Sequence, residues 1–178
     1  MKGSDTTFPF FILHVSHMAY TREDVARSLL RITLGLIFFW AFVDKLFGLH
    51  FATASGKSWL DGVSPTAGFL KAGVTGPFVN IFHALAGSPI VDWVFMIGLC
   101  LIGLSLILGI GVRVATATGS ILLLFMWLAL LPPKNHPFLD EHIVYVLALC
   151  VLYHNSGVLG FQKWWGRTEL VRKHPCLQ

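Results

Sequence analysis

The residues with the means to do chemistry gather in Asn135-His136-Pro137-Phe138-Leu139-Asp140-Glu141-His142-Ile143-Val144-Tyr145. Two carboxylates and an imidazole stand there at the opening of an apolar run. Histidine titrates near neutrality and a carboxylate can take or give a proton, so the group has the makings of a proton-transfer site. On a helix, His142 and Tyr145 are three apart and Glu141 and Tyr145 four apart, so each pair shares a face. A second charged group, Asp44-Lys45, closes another apolar run, with Trp40 four residues before Asp44. In a pocket reading, Asp44, Lys45, Glu141 and His142 are the catalytic candidates. They would position an anion or exchange protons with a bound ligand, while Trp40, Asp140 and Tyr145 bind that ligand, Trp40 and Tyr145 as walls. In the blander reading, Asp140-Glu141 is a helix N-terminus favoured by the helix dipole. Lys45 then snorkels outward beside Asp44, or the two form an ion pair reaching the fourth long helix.

These groups must be positioned by apolar elements. The chain has 178 residues, enough for one domain; 55% are hydrophobic and 12% charged, against roughly 25% charged in soluble domains. Mean hydropathy is +0.71, and several apolar runs approach the roughly 20 residues that cross a bilayer as a helix. The net charge of +4 is spread over helix ends and termini without a basic block, which excludes nucleic acid as a partner.

The expected fold is all-α: a membrane four-helix bundle with short interfacial helices in a long outer connection between spans 1 and 2. The first span covers about 28–49. It follows a helix start capped by Thr21, with Glu23 and Asp24 in the first turn and Arg27 and Arg31 at the membrane edge. In the 50–88 connection, Ser64-Pro65 starts a short helix to about Lys71, and Gly76-Pro77 starts one to Ala86 with Gly87 beyond it. Ser88-Pro89 opens the second span, about 89–110, in which Gly98, Gly103 and Ser105 allow close approach of a neighbour. Gly109-Ile110-Gly111 turns the chain into a third span from Arg113 to Pro132, with Ala115 and Gly119 as a small-residue pair. The fourth span starts at Asp140 or Glu141 and continues through Gly157 to Phe161, with Trp164-Trp165 in the aromatic belt. Residues 18–173 form this membrane domain, 174–178 a tail, and 1–17 an extension whose natural alternative is a start at Met18.

From residue 20 onward, eight Lys and Arg fall on the side of the termini and four on the other. The positive-inside rule therefore places both termini in the cytoplasm of a cell-membrane protein. The two charged groups then share the outer surface.

Other chemistry leaves no signature. Cys100, Cys150 and Cys176 make no CxxC or haem-attachment motif. Cys100 and Cys150 sit at nearly equal depth, as packed thiols or as a redox pair. His50, His83, His136, His142 and His154 show no zinc spacing and no facing pair for a haem. Neither a dinucleotide fingerprint nor a serine elbow is present, so no haem, flavin or metal motif is seen.

Arg27-x3-Arg31-Ile32-x2-Gly35, Asp44-Lys45-Leu46, Ile97-Gly98, Gly109-Ile110-Gly111-Val112-Arg113 and the 135–145 stretch occur in the order found in the DoxX/DoxD family of small membrane proteins. Over about residues 20–173 the chain resembles that family, some members of which resemble the large subunit of thiosulfate:quinone oxidoreductase. The resemblance implies electron passage from thiosulfate, or a related sulfur or thiol donor, to a quinone. The chain has no region comparable to the small DoxA partner, so catalysis would need another membrane or extracytoplasmic subunit beside the lipid bilayer. The alternative is a non-catalytic accessory or assembly subunit of a larger membrane complex.

Overall fold

The computed structural model describes residues 21–177; the 1–17 extension, Met18 and the last tail residue, Gln178, lie outside them. The regular secondary structure of the described residues is all helical, without a strand. Helix α1 spans Arg22–Phe47 and begins in a capping box: Thr21 Oγ1 accepts from the Asp24 N–H at 3.1 Å, and Asp24 Oδ2 accepts from the Thr21 N–H at 3.3 Å. Two backbone donors that the helix leaves open are thereby satisfied. Gly48, at φ +69°, ends it.

The 50–88 connection carries the expected punctuation. Ser64 Oγ accepts from the Ala67 N–H at 3.0 Å, but the turn it starts widens into a π-helical stretch over Phe69–Gly73 rather than a regular α-helix. Helix α2, Val79–Leu85, follows, with Gly87 at φ +82° just beyond. Leu70 and Val74 bury themselves against Ala129, and Val79 and Phe82 of α2 join that small cluster. The short elements thus lie over the end of the third long helix.

Helix α3 (Pro89–Leu108) has Ser88 as N-cap and proline in its first turn. Gly109 and Gly111, both left-handed, turn the chain into α4 (Val112–Ala129). Helix α5 runs over Glu141–His154, followed by the short helices α6 (Gln162–Trp165) and α7 (Glu169–Lys173). Helices α1, α3 and α4 are each long and apolar enough to cross a membrane; α5, with 14 residues, is shorter.

Helix α1 packs on α3, α3 on α4, and α4 on α5, with α5 also touching α1. Their common core holds Leu34 and Phe38 from α1, Ile102 and Leu106 from α3, and Leu149 and Leu152 from α5. Glycines set the closest approaches. A Cβ on Gly35 would lie 2.8 Å from the Ile107 backbone nitrogen, and one on Gly103 2.7 Å from that of Phe39. Gly119 fits its expected packing role between Leu149 and Ile102, whereas a Cβ on Gly98 would meet nothing within 4 Å. The Gly98 expectation is therefore corrected: it faces away from the helix–helix seam.

Two further expectations change. The fourth long helix stops at His154 instead of continuing to Phe161, because residues 155–161 form a turn with Gly157 at φ +84° and Gly160 at φ +110°. Arg31 does not snorkel outward. It is fully buried, while Arg27 stays near the surface and pairs with Glu23 at 3.2 Å and Asp24 at 3.8 Å.

Those two corrections have one cause. Arg31 donates from Nε to the Ser156 carbonyl at 3.1 Å, from Nη1 to the Leu106 carbonyl and from Nη2 to the Leu159 carbonyl. Ser28 Oγ accepts from the Val158 and Leu159 N–H groups at 2.8 and 3.1 Å and donates to the Asp24 carbonyl at 2.7 Å. The 156–159 turn and the C-terminus of α3 are therefore both tied to one face of α1. Carbonyls at a helix C-terminus are the favourable end for a cation. One end of the packed helices gathers the start of α1, the α3–α4 turn and the 155–161 turn. The opposite end gathers the close of α1, the long connection and the α4–α5 loop.

Candidate functional site

Asp44 occupies the last turn of α1. Its carbonyl accepts from the Gly48 N–H at 2.8 Å, and the chain then reverses. Within that reversal the Phe51 N–H donates to Asp44 Oδ1 at 3.2 Å and the Ala52 N–H to Oδ2 at 3.0 Å, with the Thr53 side chain as a further partner. The carboxylate is 1% exposed. An ionised carboxyl can be buried where donors satisfy both oxygens, and here the donors come from the loop that follows it in sequence.

Lys45 is half-buried, and its carbonyl accepts from the Trp59 N–H at 2.9 Å. The expected ion pair from this helix end to the fourth long helix is absent among the described residues. Lys45 instead borders an open groove of ≈ 480 Å³ along α1, with Leu36, Ile37, Trp40 and Phe51 as its apolar walls and Asp44 lining it beside the lysine. The Trp40 and Phe51 rings meet edge to face, with centroids 5.1 Å apart and planes at 87°. An apolar trough with one cationic end suits a flat ligand that carries an acceptor oxygen.

The second group is built at the opposite helix terminus of the same end. Asp140 is the N-cap of α5. Its Oδ1 accepts from the His142 and Ile143 N–H groups at 3.0 and 3.3 Å, and its Oδ2 lies 2.8 Å from His142 Nδ1. An acceptor-only carboxylate requires the proton on Nδ1, so neutral His142 presents Nε2 as an acceptor. Glu141 is exposed. Tyr145 packs against the main core. His136 closes the preceding loop by accepting from the Phe138 and Leu139 N–H groups at 3.1 and 3.0 Å.

The structure thus brings Trp40, Asp44 and Lys45 together and, separately, Asp140 with His142. None of Asp140, Glu141, His142 and Tyr145 lines the groove. Phe51, from the loop, faces Trp40 in the position expected for Tyr145. The reason lies in the α1 end: once Asp44 has folded residues 51–53 back, the loop rather than α5 covers that face. Cys100, Cys150 and Cys176 are free thiols, and Cys150 is exposed.

One polar residue escaped the sequence reading, and two more were read without their inward role. Asp92, in the first turn of α3, is buried and accepts from Ser64 Oγ at 2.8 Å and Thr66 Oγ1 at 2.5 Å, pinning the connection to α3. Its partners stand 26 and 28 positions away, beyond any local spacing rule. Ser28 and Arg31 were visible as polar residues, but only the fold shows them turned inward. No family model, curated protein or solved structure matches the chain.

Proposed function

We propose that the chain is a multi-pass cell-membrane subunit of the DoxX/DoxD kind, with α1, α3, α4 and α5 as a four-span bundle and both termini cytoplasmic. In this reading it takes part in passing electrons from thiosulfate, or a related sulfur or thiol donor, to the quinone pool. The observation that carries the ligand assignment is the groove along α1: apolar, open at its side, edged by two aromatic rings and closed at one end by Lys45. The exposed faces of the long helices, among them Leu36, Ile97, Leu101, Ile121 and Phe125, suit contact with lipid.

A quinone headgroup enters the groove from the side, its ring against Trp40 and Phe51. The Lys45 ammonium donates a hydrogen bond to one carbonyl oxygen and stabilises negative charge as that oxygen gains electrons. Reduction to quinol takes up two electrons and two protons. The electrons come from the sulfur donor through a partner subunit, and the protons from water at the Lys45 end of the groove. Asp44 positions the groove by holding Phe51 and Ala52 in place. Membranes containing the chain and its co-purifying partners should reduce a short-chain quinone on addition of thiosulfate. Lys45→Met should raise the KM for quinone about tenfold, the loss of one charge-assisted hydrogen bond. No thiosulfate-dependent reduction with partners present would sink this assignment.

A second reading, a non-catalytic accessory or assembly subunit, draws on a different observation: Asp44 and Asp140 are both committed to backbone N–H groups of their own chain. Deleting the chain would then lower the amount of its partner complex without changing turnover per complex.

A further inference from the structure

The segment that follows the last long helix is one-sided in charge. From Phe161 to Leu177 the sequence holds Lys163, Arg167, Arg172 and Lys173 against a single carboxylate, Glu169. The segment is folded onto the bundle. The Phe161 N–H donates to the Leu108 carbonyl at 2.8 Å, which ties the start of α6 to the C-terminus of α3. Trp165 Nε1 donates to the Leu177 carbonyl at 2.6 Å, and Val171 of α7 is buried. The outward side chains therefore have a defined place. Among them are Phe161, Trp164 and Leu170, at 57, 61 and 51% exposure. Trp164 and Leu170 each have a cation three positions on. Arg167 follows Trp164 across a turn that the Arg167 N–H closes on the Trp164 carbonyl at 3.1 Å, and Lys173 follows Leu170 along α7. Arg167, Arg172 and Lys173 are exposed and form no ion pair among the described residues. Lys163, already engaged within the molecule, is left out of that count.

We propose that α6 and α7 dock on an anionic bilayer surface, as a foot at the end of the bundle where α1 begins. Exposed aromatic and aliphatic side chains beside cations match the layer where hydrocarbon gives way to charged headgroups. The apolar groups enter that layer and the cations meet its phosphates. The surface of α3 favours a bilayer over an acidic protein: Leu104 and Leu108 are exposed on its last turns, and Phe161 adjoins them through its bond to Leu108. Three cations dispersed over two short helices suit a charged plane rather than one enclosed ion. Docking of the foot holds the turn that precedes it, and with it the backbone partners of Ser28 and Arg31. The proposal rests on the membrane part of the function proposed above and is independent of the redox part.

The test uses the full chain in nanodiscs of phosphatidylcholine, alone or with an increasing share of phosphatidylglycerol. Amide hydrogen exchange over residues 162–173 is followed by mass spectrometry. Exchange there should slow as phosphatidylglycerol is added and recover at high salt, which screens exposed charge. Lys173→Gln should weaken the apparent affinity for phosphatidylglycerol, read from that dependence, about fivefold, the effect of one cation near an anionic surface. Arg167→Gln, Arg172→Gln and Lys173→Gln together should abolish the response, with unchanged exchange over α1 and α3 as the check that the bundle is intact. Should the triple variant fail to fold, the shift in Lys173→Gln decides. Equal exchange of the wild type in both kinds of disc would overturn the proposal and leave the foot to water or to an acidic protein. So would a full response in the folded triple variant or an unshifted one in Lys173→Gln. A chain that enters neither kind of disc would overturn the membrane reading and this docking with it.

Discussion

Asp44 and Lys45 are neighbours in sequence with unlike tasks. Asp44 is sealed beneath the loop it folds, so Asp44→Ala should leave the Phe51 and Ala52 N–H groups without acceptors. The expected loss is about 2–3 kcal/mol, read from unfolding midpoints in detergent. Asp44→Asn retains one acceptor oxygen and should cost less. Lys45→Met should lower that midpoint less than Asp44→Ala, because the lysine meets Asp44 only as a neighbouring charge and forms no ion pair among the described residues, and should act mainly on ligand binding. Asp61 offers a pH handle. The Ser58 hydroxyl, at 2.6 Å, and the Ser58 N–H, at 3.1 Å, hold its carboxyl below the ordinary value. That contribution is complete above the unfolded carboxyl value and is lost as pH falls through the lowered one. The 58–63 turn should therefore loosen below about pH 4, seen as faster backbone proteolysis there. Asp61→Asn should remove the pH dependence.

At the scale of elements, the beginnings of helices were more legible than their ends. Thr21-x2-Asp24 and Asp140-Glu141 announce α1 and α5 because their caps bond N–H groups two or three positions away, and Ser88-Pro89 announces α3 through the proline in its first turn. The close of α5 carries no such local mark. Val158, Leu159 and Phe161 extend the apolar pattern past it, and the turn that breaks the helix is dictated by Ser28 and Arg31, more than 120 residues earlier. The same distance hid the partition of the site: the pairing of Trp40 with Phe51 depends on a loop reversal set by Asp44, not on helix periodicity. Gly157 makes the α5 correction testable. It has φ +84°, and a Cβ there would fall 2.2 Å from Ser28 Oγ. Gly157→Ala should thus destabilise the protein by at least ~2 kcal/mol and expose 155–161 to protease. Gly98→Ala, into open space, should be neutral or slightly stabilising through its helix propensity.

For the whole molecule, the apolar faces of α1, α3 and α4 predict behaviour as well as fold. The chain should stay with membranes through an alkaline carbonate wash and need detergent for release. Cys176 is exposed at the end where α1 begins, which gives orientation a direct readout. With both termini cytoplasmic, a membrane-impermeant maleimide should label Cys176 only after cells are opened. Labelling of intact cells would reverse the proposed orientation.

The 14 residues of α5 amount to about 21 Å of helix, against roughly 30 Å of hydrocarbon in an average bilayer. Beside α1, about 39 Å long by the same rise over its 26 residues, the bundle has one deep flank and one shallow flank. In the proposed four-span arrangement, lipids next to α5 would have to compress or tilt to meet it, while those along α1 would not. In that arrangement the protein would carry its own local thinning of the membrane, on the flank of the 155–161 turn. Thickness then becomes a variable of its stability: short-chain lipids should raise the unfolding temperature and long-chain lipids lower it, by fractions of a kcal/mol per ångström of mismatch.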